Sequence, residues 1–156
     1  MPVFRSHLVR HRGDGRYQLR FPPEHRQLLG QLVGELRAVV TSDEPGIERL
    51  FPSPYPDDPE RDAGWHALVR HELVERHLEA IEVVETTLDA DELDEDELAR
   101  WMTAVNALRV VLGTRLDVSE DDEPVDPSDP RFGAFALYDV LGWVLDEIVR
   151  ARSDAL

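Results

Sequence analysis

Apolar residues recur at every second position in one stretch of the chain and at every third or fourth in several others. Arg16-Tyr17-Gln18-Leu19-Arg20-Phe21 alternates, placing Tyr17, Leu19 and Phe21 on one face and Arg16, Gln18 and Arg20 on the other. Gly13-Asp14-Gly15 before it supplies a tight turn, because glycine and aspartate tolerate positive φ. Residues 3–21 therefore read as a β-hairpin. A two-residue loop would pair Arg12 with Tyr17 and a three-residue loop Val9 with Leu19, and the pattern leaves both registers open.

Pro22-Pro23 ends the strand and opens a helix, since a first helical turn leaves its N–H groups unpaired in any case. Leu28, Leu29, Leu32, Val33, Leu36, Val39 and Val40 recur at three and four and predict a helix from about Pro23 to Thr41. A proline-rich connector follows over 41–58, with one turn around Gly46 to Leu50. Asp58-Pro59 starts a second helix running to about Leu88. Asp94 and Glu97 have capping-box spacing and open a third. One face of that helix carries Leu98, Trp101, Met102, Val105, Leu108, Leu112 and Leu116. Residues 117–130 hold seven acids and three prolines without periodicity and read as a solvated loop. A last helix is expected from about Asp129 to Arg152, with Leu137, Tyr138, Leu141, Val144, Leu145 and Ile148 inward. The expected fold is mainly α: a four-helix bundle-like domain over 22–152 with an N-terminal β-hairpin, residues 1–156 forming one domain.

Charge changes this picture through its distribution. The chain of 156 residues carries 33 acids against 17 basic residues, all arginine, for a net charge of −16. Residues 1–40 hold seven arginines against Asp14, Glu24 and Glu35, a net of +4, and the other 116 residues hold ten arginines against thirty acids, a net of −20. An acidic body repels nucleic acid and anionic membrane at long range and favours a basic partner. The absence of cysteine excludes a thiol nucleophile, a Cys-ligated zinc, an iron–sulfur cluster and a disulfide switch. No apolar run approaches the ~18 residues of a membrane span and no signal-peptide core stands at the start, so a cytoplasmic location is expected.

Candidate chemistry concentrates on the second helix. His71, Glu72, Glu75, Glu79, Glu82 and Thr86 share an arc without apolar side chains, which should face water. His66, Arg70 and His77 project into the apolar arc of Leu73, Ile81, Val84 and Leu88, where an unpaired polar group costs on the order of several kcal/mol. With Asn106, Arg109 and Arg115 of the third helix they form an expected buried polar seam. The sharper account makes these groups a small-ligand or anion pocket. His71-Glu72 with Glu75 resembles the zincin pattern but has glutamate where the second imidazole belongs, so a solvated face is favoured over a metal site. No catalytic residue, cofactor or metal is expected.

Two surfaces suggest partners. Trp143 projects roughly opposite the Leu137–Ile148 face and Phe135 lies well off it; exposed large aromatics mark binding hot spots, although a helix buried all round would also accommodate them. Arg10, Arg12, Arg16 and Arg20 make the hairpin basic. It can dock on acidic helices of this chain or of a second subunit, and opposed charges at two ends suit a homodimer. Two-stranded DNA readers exist, but the acidic body and the lack of lysine argue against direct nucleic-acid binding.

Several segments together resemble one actinobacterial family, the domain-of-unknown-function family numbered two thousand and seventeen. They are the hairpin with Arg12-Gly13-Asp14-Gly15, Leu50-Phe51-Pro52 with Tyr55-Pro56-Asp57-Asp58-Pro59, the stretch from Trp101 to Val118, and Ala136-Leu137-Tyr138-Asp139. Asn106-Ala107-Leu108-Arg109 to Gly113-Thr114-Arg115-Leu116 is the most specific part. That family looks related to aerial-mycelium-formation proteins and an oxidative-stress transcriptional regulator, which implies a regulatory or adaptor role working through a protein partner. It brings no catalytic residue, and its redox-sensing idea needs a cysteine pair that this chain lacks. The expectation is a non-catalytic cytosolic regulatory or adaptor protein. The alternatives are a transcriptional regulator touching DNA through Arg10, Arg12, Arg16 and Arg20, and a metal or small-ligand pocket on His66, His71, Glu75 and His77.

Overall fold

A computed structural model describes the backbone of residues 7–42, 57–117 and 125–156, and the side chains of all of these except 66–70. The start of the expected hairpin, the turn expected at Gly46 to Leu50 and half of the acidic loop, residues 118–124, lie outside the described residues. The chain is mainly helical. Strands β1 (Val9–Gly13) and β2 (Arg16–Leu19) lead into helices α1 (Pro23–Val40) and α2 (Pro59–Thr86), then strand β3 (Glu92–Asp94) and helices α3 (Glu95–Arg115) and α4 (Phe132–Asp154).

The hairpin takes the longer-loop register. Val9 faces Leu19, Arg10 faces Gln18 and His11 faces Tyr17, with a bulge before Gly13 meets Arg16. Gly13, Asp14 and Gly15 all have positive φ, a run that side chains with branched Cβ would not tolerate. The third strand was not expected. β3 pairs antiparallel with β2, Tyr17 facing Leu93, and Leu19 donates its N–H to the Asp91 carbonyl at 2.8 Å. Three residues are too short a run to display alternation, and only the fully buried Leu93 marks the inner face.

Each helix start has a local cause. Pro23 occupies the first turn of α1, and Asp58 accepts the Arg61 N–H at 3.1 Å to cap α2. At α3 the expected capping box is complete: Asp94 accepts from Glu97 N–H at 2.8 Å and Glu97 accepts from Asp94 N–H at 2.9 Å. α4 begins at Phe132, later than expected, because Asp126 accepts from Ser128 and Asp129 from Arg131, and these local bonds hold the chain in turns.

One continuous core joins the layers, with Trp101, Tyr17, Leu36, Ile81, Leu98 and Ile148 among its fully enclosed large side chains. α3 lies between α2 and α4, while α1 packs on α2 and α3 and the hairpin packs on α4 through β1. α1 and α4 thus lie on α3 without packing closely on each other. Among the described residues, no helix is long and apolar enough to cross a membrane.

Candidate functional site

The separation of α1 from α4 leaves an apolar groove of about 280 Å³. Val105 of α3 is its floor, Leu28, Leu29 and Leu32 form the α1 wall, and Leu137, Val140, Leu141, Trp143 and Val144 form the α4 wall. Leu8 and Phe21 close one end. A second hollow of about 130 Å³ shares Leu32, Leu137 and Leu141 and continues past Val39 to Arg115. From His25 to Val39 the α1 wall runs roughly 20 Å at about 1.5 Å per residue.

The rim is apolar and wet. Leu28 is 43%, Val140 45% and Trp143 42% exposed. Leu28, which shares the three-and-four period of the α1 stripe, overhangs the groove, because among the described residues no helix covers that edge. Each exposed apolar surface favours a covering partner by roughly 25 cal/mol per Å². Glu35 lines the far hollow, and the exposed Glu24 and Asp139 lie on the same two helices.

A buried carboxylate holds the closed end. Glu147, only 9% exposed, accepts the Leu8 backbone N–H at 3.1 Å, pairs with His7 Nδ1 at 3.2 Å and accepts from Arg150 Nη2 at 3.1 Å. Arg150 Nη2 also donates to the Val9 carbonyl at 2.6 Å. Burial alone would raise the Glu147 pKa, but the bonds from His7 and Arg150 outweigh it and hold the carboxyl below its ordinary range. On the same sheet, Tyr17 donates to Glu95, which also accepts from Arg152 Nε at 2.8 Å. Burial first, and then the Glu95 carboxylate, push the Tyr17 phenol up to about 12. Neither network was legible in the sequence, since each joins residues far apart in the chain.

The structure disperses the expected polar seam. The side chains of His66 and Arg70 lie outside the described residues. His77 is half-buried, its Nδ1 2.8 Å from the Leu73 carbonyl of its own helix. Asn106 and Arg115 are exposed, a correction to the buried positions expected of them: α4 covers the Val105–Leu108 side of α3 and leaves Asn106 to water. Among the seam's described side chains, Arg109 sits between helices, its guanidinium 4.9 Å from the Tyr138 ring centroid and its Nε buried without a hydrogen-bond partner among the described residues.

His71, Glu72 and Glu75 are exposed on α2, and among the described residues no group of three His, Asp or Glu side chains could hold a metal ion. Phe135 is half-buried beneath the Arg131 guanidinium, 5.3 Å from its centroid. Arg10, Arg12 and Arg20 are exposed, whereas Arg16 pairs with Glu92 at 3.5 Å. Of the residues singled out as partner contacts, Trp143 is the one that the groove incorporates.

The family model described as Domain of unknown function (DUF2017) matches residues 4–152. No curated protein and no solved structure matches the chain. The matched span takes in both walls of the groove, its floor and the hairpin, and the chain belongs to this family.

Proposed function

We propose that this member of the DUF2017 family is a non-catalytic regulatory or adaptor protein of the cytosol that binds an amphipathic helix of a partner protein in the α1–α4 groove. The observation that carries the reading is the exposure of Leu28, Val140 and Trp143 on facing walls of one core-floored groove. A groove about 20 Å long and lined at helical spacing matches the apolar stripe of an added helix, which would lie on α3 beside α1 and α4. The net charge of −16 and Glu35 in the wall favour basic residues flanking that stripe. The resemblance noted in the sequence would imply a regulatory role in the same direction, and a chain without cysteine would act there with no thiol switch of its own.

The test compares recovery of partners from native cell lysate on the intact chain and on Trp143→Ala and Val140→Glu variants, with Arg76→Ala as a surface control. A central aromatic anchor is worth about 2 kcal/mol or more, so Trp143→Ala should weaken the complex at least about tenfold. Arg76→Ala should leave it unchanged. Equal retention by both groove variants would remove the reading.

A further inference from the structure

We propose that the outer face of the hairpin is a separate binding site for a phosphomonoester dianion, held by Arg10, Arg12 and Arg20 beside Gln18. Side chains at alternate strand positions share a face, so Arg10 stands opposite Gln18, with Arg20 two residues farther on, just past the end of β2. The bulge leaves Arg12 without a partner in the ladder and brings it to the same hollow, about 420 Å³, lined by Arg10, His11, Arg12, Gln18 and Arg20.

What singles out this hollow is the lack of a counter-charge. Several arginines elsewhere on the described surface find acids: Arg37 with Glu85, Arg100 with Glu79, Arg152 with Glu95, and Arg16 on this same sheet with Glu92. Among the described residues, Arg10 and Arg12 meet no carboxylate, and Arg20 bonds only to Gln18, at 3.3 Å. In a chain with 33 acids, three adjacent guanidiniums that meet no carboxylate among the described residues form a cluster open to an outside anion.

The chemistry of the anion follows from charge and size. Guanidinium forks match phosphate oxygens two at a time, and three positive charges around one hollow suit a compact dianion better than single carboxylates spaced along a peptide. Arg10 and Arg12 lie only about 7 Å apart along the strand. A nucleic-acid strand would run past that patch onto the acidic remainder of the chain and be repelled. A phosphorylated side chain and a small phosphorylated metabolite share the required group. The site uses no groove-wall residue, so it stands or falls independently of partner docking there.

The test is a titration of the isotope-labelled full chain followed by NMR. The probes are free O-phosphoserine, a phosphoserine hexapeptide, the same peptide with glutamate in its place, and a short single-stranded oligodeoxynucleotide. Saturable shifts centred on Arg10, Arg12, Gln18 and Arg20 with the phosphorylated probes are expected, with the glutamate peptide at least about tenfold weaker. A peptide much tighter than free phosphoserine identifies a phosphoprotein source; equal affinities identify a metabolite. The R10Q/R12Q/R20Q variant should lose the binding, and R10K/R12K/R20K, which keeps the charge without the forks, should weaken it several-fold while both retain the native circular dichroism and Tm. No saturation, unchanged binding by the glutamine variant, equal binding of the glutamate peptide, or tighter binding of the oligonucleotide would overturn the site.

Discussion

Leu8 donates its backbone N–H to Glu147 across 139 positions of sequence, at 3.1 Å. The bond ties the entry of the hairpin to the middle of α4 at the point where Leu8 closes the apolar groove. Glu147 lies four residues beyond Trp143, one helical turn along the same side of α4. One carboxylate therefore anchors the strand entry that carries the groove-lining Leu8.

Replacing Glu147 with glutamine should destabilise the fold by about 1–3 kcal/mol near neutral pH, since Arg150 and the Leu8 N–H lose a charged acceptor in a buried place. The folded carboxyl titrates below its ordinary range. Its contribution is thus fully present above the unfolded value of about 4.3 and is lost as pH falls through the folded value. Urea unfolding of the two proteins should show a gap that narrows on acidification to about pH 3. A constant gap contradicts the assignment.

Gly113→Ala should cost about 1–3 kcal/mol by overpacking. An added Cβ would stand 2.9 Å from Cε2 of the Tyr138 ring, which is itself held beneath the Arg109 guanidinium. Gly34→Ala, where a Cβ meets nothing within 4 Å, should be neutral or stabilising through helix propensity. Thermal unfolding of both variants checks the pair.

Arg26→Ala should destabilise by about 2–3 kcal/mol. Its guanidinium donates to the carbonyls of Leu88 at 2.8 Å, Ala90 at 2.7 Å and Phe21 at 3.0 Å, pinning the turn after α2 to the start of α1. Arg26→Lys should recover only part of that loss, because an ammonium cannot reproduce the fork. Hydrogen exchange of the Ala90 and Asp91 amides should accelerate in both variants.

Tyr17 should ionise at about 12, after the ordinary tyrosine range near 10. Because folding favours the neutral phenol, its contribution to stability is present below about pH 10 and is lost as pH rises toward 12. Alkaline difference spectroscopy of the native chain and Tyr17→Phe isolates this step.

The elements with enough residues to show a period were legible in the sequence. Alternation at Tyr17, Leu19 and Phe21 marked a strand, and Asp94 with Glu97 marked the start of α3. The water-facing arc from His71 to Thr86 on α2 is exposed throughout its named members. Features set by a neighbour were not legible. The hairpin register depends on pairing that periodicity leaves open, and β3 is too short to show a pattern. Asn106 sits at the edge of an apolar stripe, and whether an edge is covered depends on where α4 lies. The groove has the same origin: spacing gives α1 and α4 an apolar face each, but only their placement either side of α3 leaves Leu28, Val140 and Trp143 uncovered among the described residues. Trp143 could be singled out because its angle conflicted with its helix; Leu28 could not, because its angle agreed.

The central claim is that the α1–α4 groove receives a helix from another protein, and the most direct measurement is site-specific photo-crosslinking in the native cell. A benzophenone amino acid placed at Val140 should capture a partner through residues that recur every three or four positions in its sequence, and the same group at Arg76 on α2 should not capture it. A partner retained by the chain but captured equally at Arg76, or never at Val140, would contradict the account.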